Sequence, residues 1–154
     1  MEKGYRRRIR RKEMAKSLIV YFSLGGTTAQ VAKAIADGLR AAGHEVDLCN
    51  IRNQQPPPLD GYEALGIGTP TYYFRPPFNV TDYVDSLPSL NGLPAFTFVL
   101  HGTYQGDAGN VVQRASCLTG CILAAGACAT WAGSYVACLR IGGGLPVFVN
   151  LKGR

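Results

Sequence analysis

Residues 17–28, with the sequence SLIVYFSLGGTT, join a short apolar run to a loop of small and hydroxyl-bearing residues. The apolar run is rich in β-branched and aromatic side chains, which is typical of a strand buried on both faces of a parallel sheet. Downstream, apolar residues recur every four positions from Val31 to Leu39, and Gly43 closes the pattern as a helix C-cap. The stretch therefore predicts a β-loop-α unit, with the loop at the carboxyl end of the strand.

The rest of the first two thirds of the chain alternates in the same way. Further strands are predicted at residues 44–50, 63–68 and 95–100. Residues 80–87 have the spacing of a short amphipathic helix ended by Pro88, whereas the prolines within 52–60 predict an irregular crossover there. Such crossovers between parallel strands predict a doubly wound α/β sandwich, in which ligands bind beyond the carboxyl ends of the strands.

The formal net charge of +6 on 154 residues resides in the N-terminal segment. Residues 1–16 contain eight Lys and Arg and two Glu, whereas the remainder holds eight basic and eight acidic residues. A basic run such as residues 6–12 repels itself and buries nothing, so we predict a disordered basic tail over 1–16 and one domain over 17–154. Met14 is also a natural start, which would make the preceding residues an upstream extension. Nucleic-acid or lipid binding by the tail is the less favoured alternative.

The compartment is expected to be reducing. No apolar segment follows the basic run at the spacing of a signal peptide, so we expect a cytoplasmic protein. The five cysteines are an odd number for a disulfide framework, and the spacings within 117–138 match neither paired zinc sites nor a bacterial iron-sulfur cluster. Buried, inert thiols are therefore expected rather than a metal or redox centre.

The C-terminal third departs from the rest in composition, because residues 108–154 contain no Asp or Glu. Residues 115–139 form an uncharged run of 25 residues that could span a bilayer, but its glycines and hydroxyl residues favour a buried helix and a fifth strand. Another strand is predicted at 147–151, with no final amphipathic helix after it. Truncation or a shifted reading frame would produce the same signs, so the C-terminal part of the fold is expected to be incomplete.

Three loops at the predicted carboxyl edge carry the candidate site residues. The first consists of Ser23, Leu24, Gly25, Gly26, Thr27 and Thr28. It has no Lys or Arg and matches neither the Walker A loop nor the G-x-G-x-x-G fingerprint. Its backbone N–H groups, its hydroxyls and the positive end of the following helix can hold a phosphate monoester without a cationic side chain. An ordinary hydroxyl N-cap is the alternative.

The second and third loops add aromatic and polar groups. The second consists of Thr69, Pro70, Thr71, Tyr72, Tyr73 and Phe74. Aromatic residues held between prolines at a crevice suit the flat face of a conjugated ring, although packing onto the next helix is the alternative. The third contains Gly102, Thr103, Tyr104 and Gly106. His101, Tyr104 and Asp107 are candidates for polar contacts to the edge of such a ring, or for turn and cap roles.

Two stretches, residues 21–28 (YFSLGGTT) and 66–73 (GIGTPTYY), resemble the flavodoxin family. The resemblance covers about residues 17–109, and residues 68–77 are similar to the flavodoxin half of proteins that join this domain to a ferredoxin-type one. It implies a parallel sheet of about five strands in the order 2-1-3-4-5. It also implies non-covalent FMN, with its phosphate in the first loop and its ring between the second and third.

Carried over by position, Ser23, Gly26 and Thr28 match the family's phosphate pattern, whereas Gly25 stands where the family usually has a hydroxyl. Residues 69–74 take the place of the ring-binding loop, and 102–106 that of the second ring loop. The resemblance implies an electron carrier or a small flavin-dependent reductase with a redox partner protein, for which a ferredoxin-type protein is a candidate. No catalytic side chain, nucleic-acid partner or membrane contact is expected.

Two alternatives of other classes stay open. One is a flavodoxin-fold binding or regulatory module that has lost its flavin, which Gly25 and the unusual C-terminal third favour. The other is a nucleic-acid binder that uses the basic tail, which would bind with a steep dependence on salt.

Overall fold

The computed structural model describes residues 15–90, 92–101 and 106–112, together with the backbone of three later strands. The elements are β1 (Lys16–Tyr21), α1 (Thr27–Ala41), β2 (Glu45–Asn50), β3 (Ala64–Pro70), α2 (Phe78–Asp85), β4 (Pro94–His101), β5 (Ile122–Thr130), β6 (Tyr135–Leu139) and β7 (Val147–Leu151). Residues 108–112 form a helical turn after β4. The predicted tail lies outside the described residues except for its end, where β1 begins at Lys16.

The main sheet is parallel and has five strands in the order β2-β1-β3-β4-β5, as the family resemblance implied. β1 lies at its centre of assembly, since Val20 pairs with Cys49 of β2 on one side and with Ile67 of β3 on the other. β5 continues the sheet beyond β4. The crossover at 51–63 contains neither helix nor strand, which confirms the irregular loop predicted from its prolines.

The two faces of the sheet are covered by different helices because side chains alternate along each strand. On one face, Ile19 packs with Ile35 and Leu39 of α1. On the other, Leu18 packs with Val80 and Val84 of α2. These side chains are almost fully buried, and each contributes about 1.5–3 kcal/mol relative to an exposed position. The chain is therefore a doubly wound α/β sandwich, as predicted.

The α1 face of β3 carries glycines instead of side chains. Gly66 pairs with Phe96 and Gly68 pairs with Phe98 on the neighbouring strand β4. Both rings lie over the glycines, so that a Cβ added at Gly66 would be 2.5 Å from Cζ of Phe96, and one added at Gly68 would collide with the ring of Phe98. The two phenylalanines thus fill the space above both strands.

Helix α1 begins and ends on glycines with a left-handed backbone. Gly26 precedes its first residue with φ 90°, and Gly43 follows its end with φ 88°. At the end, the N–H of Gly43 donates to the carbonyl of Arg40 and that of His44 to the carbonyl of Leu39, which is the Schellman motif. The predicted C-cap at Gly43 is therefore confirmed.

The uncharged run at 115–139 contains two strands. β5 is the predicted fifth strand, and β6 follows it, whereas residues 113–121, where the predicted helix would lie, are outside the described residues. The predicted strand at 147–151 is β7; it pairs antiparallel with β6 in a separate two-stranded sheet and lies beside α1. Among the described residues, no helix has the length and apolar character needed to cross a membrane.

Candidate functional site

The loop after β1, which we call the N–H loop (residues 22–27), is organised by Ser23. This residue is buried, and its Oγ accepts hydrogen bonds from the N–H of Gly26 at 3.1 Å and of Ala29 at 3.3 Å. The serine therefore does the work of an N-cap side chain for α1, although it stands three residues before Gly26. Its lone pairs serve the loop itself, and its hydroxyl proton is the group left to meet a ligand.

The remaining donors of the N–H loop face open space. In the part of the chain that the structure describes, the N–H groups of Leu24, Gly25, Thr27 and Thr28 have no hydrogen-bond partner. No atom lies within 4 Å of a Cβ placed on Gly25 or Gly26. The first turn of α1 has no acidic residue, so the helix dipole is not offset there. Unpaired donors at a helix N-terminus fit an anion such as a phosphate group.

Two residues at the end of β2, which the sequence analysis did not single out, hold this loop in place. The side chain of Asn50 accepts a hydrogen bond from the N–H of Ser23 at 3.3 Å and donates one to the carbonyl of Ser23 at 3.4 Å. Nη1 of Arg52 donates to the carbonyl of Leu24 at 3.3 Å. A signal was present in the sequence, since β2 was predicted to end at Asn50 and its carboxyl end must lie beside that of β1 in a parallel sheet.

The second loop contains a tight turn, Tyr72–Arg75, which we call the aromatic turn. The N–H of Tyr72 donates to the carbonyl of Arg75 at 2.9 Å, and that of Arg75 to the carbonyl of Tyr72 at 3.0 Å. Tyr73 and Phe74, its central residues, have φ values of 48° and 68°. Two left-handed residues in succession define a type I′ turn, for which Asn-Gly is the usual sequence. The aromatic turn is therefore strained by its own side chains.

The side chains of the aromatic turn are exposed. Tyr73 is 97% exposed and Phe74 62% exposed, whereas Tyr72, at 40%, contacts the edge of the Phe22 ring with the ring centres 6.3 Å apart. The expected packing of aromatic residues onto the following helix is therefore not their main environment. They present ring faces at the carboxyl edge of the sheet, next to the strand that leads into the N–H loop.

The other predicted members of the second loop lie deeper. Thr69 and Pro70 are within β3 and buried, and the hydroxyl of Thr69 donates to the carbonyl of Pro70 at 2.9 Å. Thr71 is held at the sheet edge, since its N–H donates to the carbonyl of Leu100 at 2.8 Å. These residues support the aromatic turn from below, and their predicted contact with a cofactor stays a prediction.

The third loop is tied to the aromatic turn. The N–H of Asp107 donates to the carbonyl of Phe74 at 2.8 Å. Gly106 has φ 60°, and a Cβ there would collide with the backbone of Phe74, so only glycine fits. Asp107 also opens the helical turn at 108–112, where its Oδ1 accepts a hydrogen bond from Asn110 at 3.0 Å. His101 ends β4, and the predicted Gly102, Thr103 and Tyr104 lie outside the described residues.

The shifted pKa values belong to groups away from the three loops. The hydroxyl of Tyr62 donates to Asp47 at 2.7 Å, and Lys16 lies 3.2 Å from the same carboxylate. The hydrogen bond from Tyr62 lowers the pKa of Asp47, and burial together with Asp47 raises the pKa of Tyr62 to about 12. Burial also raises the pKa of the Cys49 thiol, in keeping with an inert cysteine. Within the described residues, no cluster of His, Cys, Asp and Glu is arranged to hold a metal ion.

Comparison with known proteins identifies the family. The profile of the family described as "Flavodoxin domain" matches residues 18–133, which is most of the chain. The chain therefore belongs to the flavodoxin domain family, and the resemblance seen in the sequence is confirmed. The linked resemblance to proteins that carry a ferredoxin-type domain stays a prediction.

Curated relatives carry the name NAD(P)H dehydrogenase (quinone). The protein from Rhodopseudomonas palustris (strain TIE-1) is 27% identical, with 62% of this chain and 58% of that protein covered. The protein from Paraburkholderia phymatum is 29% identical, with 60% of each covered. The chain thus spans about three fifths of the length of these relatives.

Solved structures of flavodoxins have the same fold. Oxidised Flavodoxin 2 from Bacillus cereus superposes with a TM-score of 0.67 at 26% identity, covering 77% of this chain and 86% of that one. The Flv1 flavodiiron core from Synechocystis also reaches a TM-score of 0.67, at 17% identity over 79% of this chain and 32% of that one. The second likeness concerns the fold alone.

Proposed function

We propose that the chain binds FMN without a covalent bond and functions in electron transfer. The observation that carries the proposal is the pairing of unpaired N–H donors in the N–H loop with exposed ring faces in the aromatic turn, both at the carboxyl edge of one sheet. An anion site beside an apolar, aromatic wall suits a ligand with a phosphate at one end and a conjugated ring at the other. Bound FMN would supply one- and two-electron chemistry, which no side chain of the chain provides.

The residues have separate tasks in this proposal. The N–H groups of residues 24–28 donate to the phosphate, with the dipole of α1 behind them. Tyr73 and Phe74 offer ring faces and keep water from one side of the flavin. Because Gly106 and Asp107 hold the backbone of Phe74, the aromatic turn presents a preformed surface, which lowers the entropy cost of binding.

Titration of the purified protein with FMN, followed by flavin absorbance and fluorescence, tests this proposal. We expect saturable binding with one FMN per chain and a weaker affinity for riboflavin, which has no phosphate. Protein that is folded but does not respond to either flavin would favour the binding or regulatory module instead.

Gly25 offers a matched pair of variants, because an added side chain meets open space there. Gly25→Ser supplies the hydroxyl that the family pattern has at this position, so we expect FMN affinity to rise about threefold to tenfold, which corresponds to one added hydrogen bond. Gly25→Asp brings a carboxylate to the same point and is expected to abolish FMN binding by repulsion of the phosphate. Equal affinities for both variants would place the phosphate elsewhere.

A quinone reductase is the second candidate, favoured by the names of the curated relatives and by exposed apolar side chains at this edge. Phe78, at the start of α2, is 85% exposed and adds to the ring faces of Tyr73 and Phe74. We expect a reductase to oxidise NAD(P)H with a soluble quinone when loaded with FMN. An electron carrier would instead turn over only when a separate reductase or a ferredoxin-type partner is added.

A further inference from the structure

The N–H loop has no charged side chain, yet an FMN phosphate carries close to two negative charges at neutral pH. Backbone N–H groups and a helix dipole offset part of such a charge, and a cation in contact with the loop would offset more. The sequence analysis assumed that no cation takes part, because none occurs between Ser23 and Thr28.

The fold brings one cation to the loop from a neighbouring strand. Arg52 lies just beyond β2, and its Nη1 donates to the carbonyl of Leu24, the residue before the glycine pair. A guanidinium has five N–H donors, so this contact leaves the other donors of the group for a ligand. Among the described residues, no carboxylate forms an ion pair with Arg52.

Asn50 determines where this arginine lies. Its Oδ1 accepts from the backbone N–H of Arg52 at 3.2 Å and from that of Ser23 at 3.3 Å. One amide side chain thus joins the start of the N–H loop to the backbone that carries the guanidinium. The position of Arg52 relative to the loop is therefore defined by three hydrogen bonds rather than by a flexible side chain alone.

The other cations near α1 are used differently. Arg40 pairs with Asp37 at 3.3 Å and donates to the carbonyl of Val46, near the opposite end of the helix. Lys16 pairs with Asp47. Lys33 is exposed in the middle of α1 and makes no contact with the N–H loop.

We propose that Arg52, oriented by Asn50, is a phosphate-selecting residue that makes the chain prefer FMN to riboflavin. The inference rests on the proposed function, since it assigns a role at the same site. The guanidinium adds a charge-assisted contact to the phosphate end of the ligand, while the ring end is unaffected. Its effect is therefore confined to the ligand that carries the phosphate.

Calorimetric titrations of the full chain with FMN and with riboflavin test this role in four proteins: wild type, Arg52→Gln, Arg52→Lys and Lys33→Gln. We expect Arg52→Gln to weaken FMN binding about tenfold and to leave riboflavin binding unchanged. Arg52→Lys keeps the charge and loses the fork geometry, so its FMN affinity should lie between the two. Lys33→Gln removes one positive charge away from the loop and should match wild type.

Salt gives an independent readout. The preference of wild type for FMN over riboflavin should fall as ionic strength rises, because an exposed charge pair is screened, and Arg52→Gln should show a shallower dependence. Circular dichroism and urea unfolding of each variant verify that the fold is intact.

The outcomes separate the two proposals. Failure of wild type to bind either flavin would overturn the proposed function and this inference with it. Tight FMN binding with no change in Arg52→Gln would overturn the role of Arg52 alone. An equal loss for FMN and riboflavin would show that Arg52 only supports the loop, which also contradicts phosphate selection.

Discussion

The N–H loop and the aromatic turn lie at the same edge of the sheet and both require left-handed backbone, but they meet the requirement with different residues. The first uses Gly26, which adopts φ 90° without steric cost. The second uses Tyr73 and Phe74, for which a left-handed backbone costs about 1–2 kcal/mol each. One loop is relaxed, and the other is held in a strained shape.

The strained shape is kept by hydrogen bonds that come from outside the two residues. Tyr72 and Arg75 bond to each other across the turn, and Asp107 donates to the carbonyl of Phe74. Since aromatic residues at these positions cost stability, their presence is explained by what their exposed rings contact rather than by the fold. The comparison teaches that a departure from turn chemistry marks the part of the edge devoted to a ligand.

The largest effect is expected from Gly106→Ala, which would break the attachment of the aromatic turn. Its methyl group would collide with the backbone of Phe74, and its φ of 60° is unfavourable for alanine. Together these predict a loss of about 3 kcal/mol in the free energy of unfolding, measured with urea. Gly61→Ala is the control, since φ there is 84° but nothing lies within 4 Å of the added Cβ. Equal losses in the two variants would show that the contact with Phe74 is unimportant.

A double substitution, Tyr73→Asn with Phe74→Gly, would sharpen the comparison by making the turn as relaxed as the N–H loop. Asn-Gly is the preferred type I′ sequence, so we expect the free energy of unfolding to rise by about 1–2 kcal/mol. FMN affinity should fall, because two ring faces are removed. A variant that is both more stable and unchanged in its affinity would refute a ligand role for the rings.

A smaller effect is expected from Ser23→Ala within the N–H loop. Because Oγ of Ser23 accepts two backbone N–H groups, its loss should lower the free energy of unfolding by about 1 kcal/mol without any flavin present. Thr27→Ala is the matched control, since the Thr27 hydroxyl has no partner in the described part of the chain. It should leave the stability nearly unchanged and weaken FMN binding. The reverse pattern in urea unfolding and titration would exchange the two roles.

The smallest effect should come from Tyr62, which lies outside both loops. Its folded-state pKa of about 12 exceeds the ordinary value of 10, so its contribution to stability is complete below pH 10 and is lost as the pH rises from 10 to 12. The lowered pKa of Asp47 acts at the other end, where stability is lost as the pH falls below about 4. Tyr62→Phe should flatten both limbs by a few tenths of a kcal/mol in urea midpoints measured against pH. Unchanged limbs would contradict the pairing.

The sequence predicted the layers of the fold well because burial and periodicity are local signals. The apolar run that became β1 and the four-residue recurrence of α1 needed no knowledge of distant residues, and Gly43 marked the helix end. The phosphate-binding character of residues 23–28 was readable for the same reason. The division of labour within it was not, because the bonds of Ser23 to two backbone N–H groups depend on the path of the loop.

Contacts between loops were harder to predict. The approach of Gly106 to Phe74 joins residues from two crossovers, and the contact of Arg52 with Leu24 joins the ends of two strands. Each depends on strand order, which the sequence reading took from the family resemblance. The type I′ turn was also missed, since Tyr-Phe is an unusual sequence for it and the propensity of these residues indicates extended backbone.

The glycines of β3 have a consequence for how the sheet is assembled. Gly66 and Gly68 lie opposite Phe96 and Phe98, while Leu65 and Ile67 point to the other face. If β4 slid by one residue, its rings would meet neighbours with side chains and would turn toward the wrong face. The pattern of ring over glycine, repeated twice, therefore acts as a key that accepts a single alignment of the two strands, and the loops at their carboxyl ends, where the ligand is proposed to bind, inherit their alignment from it.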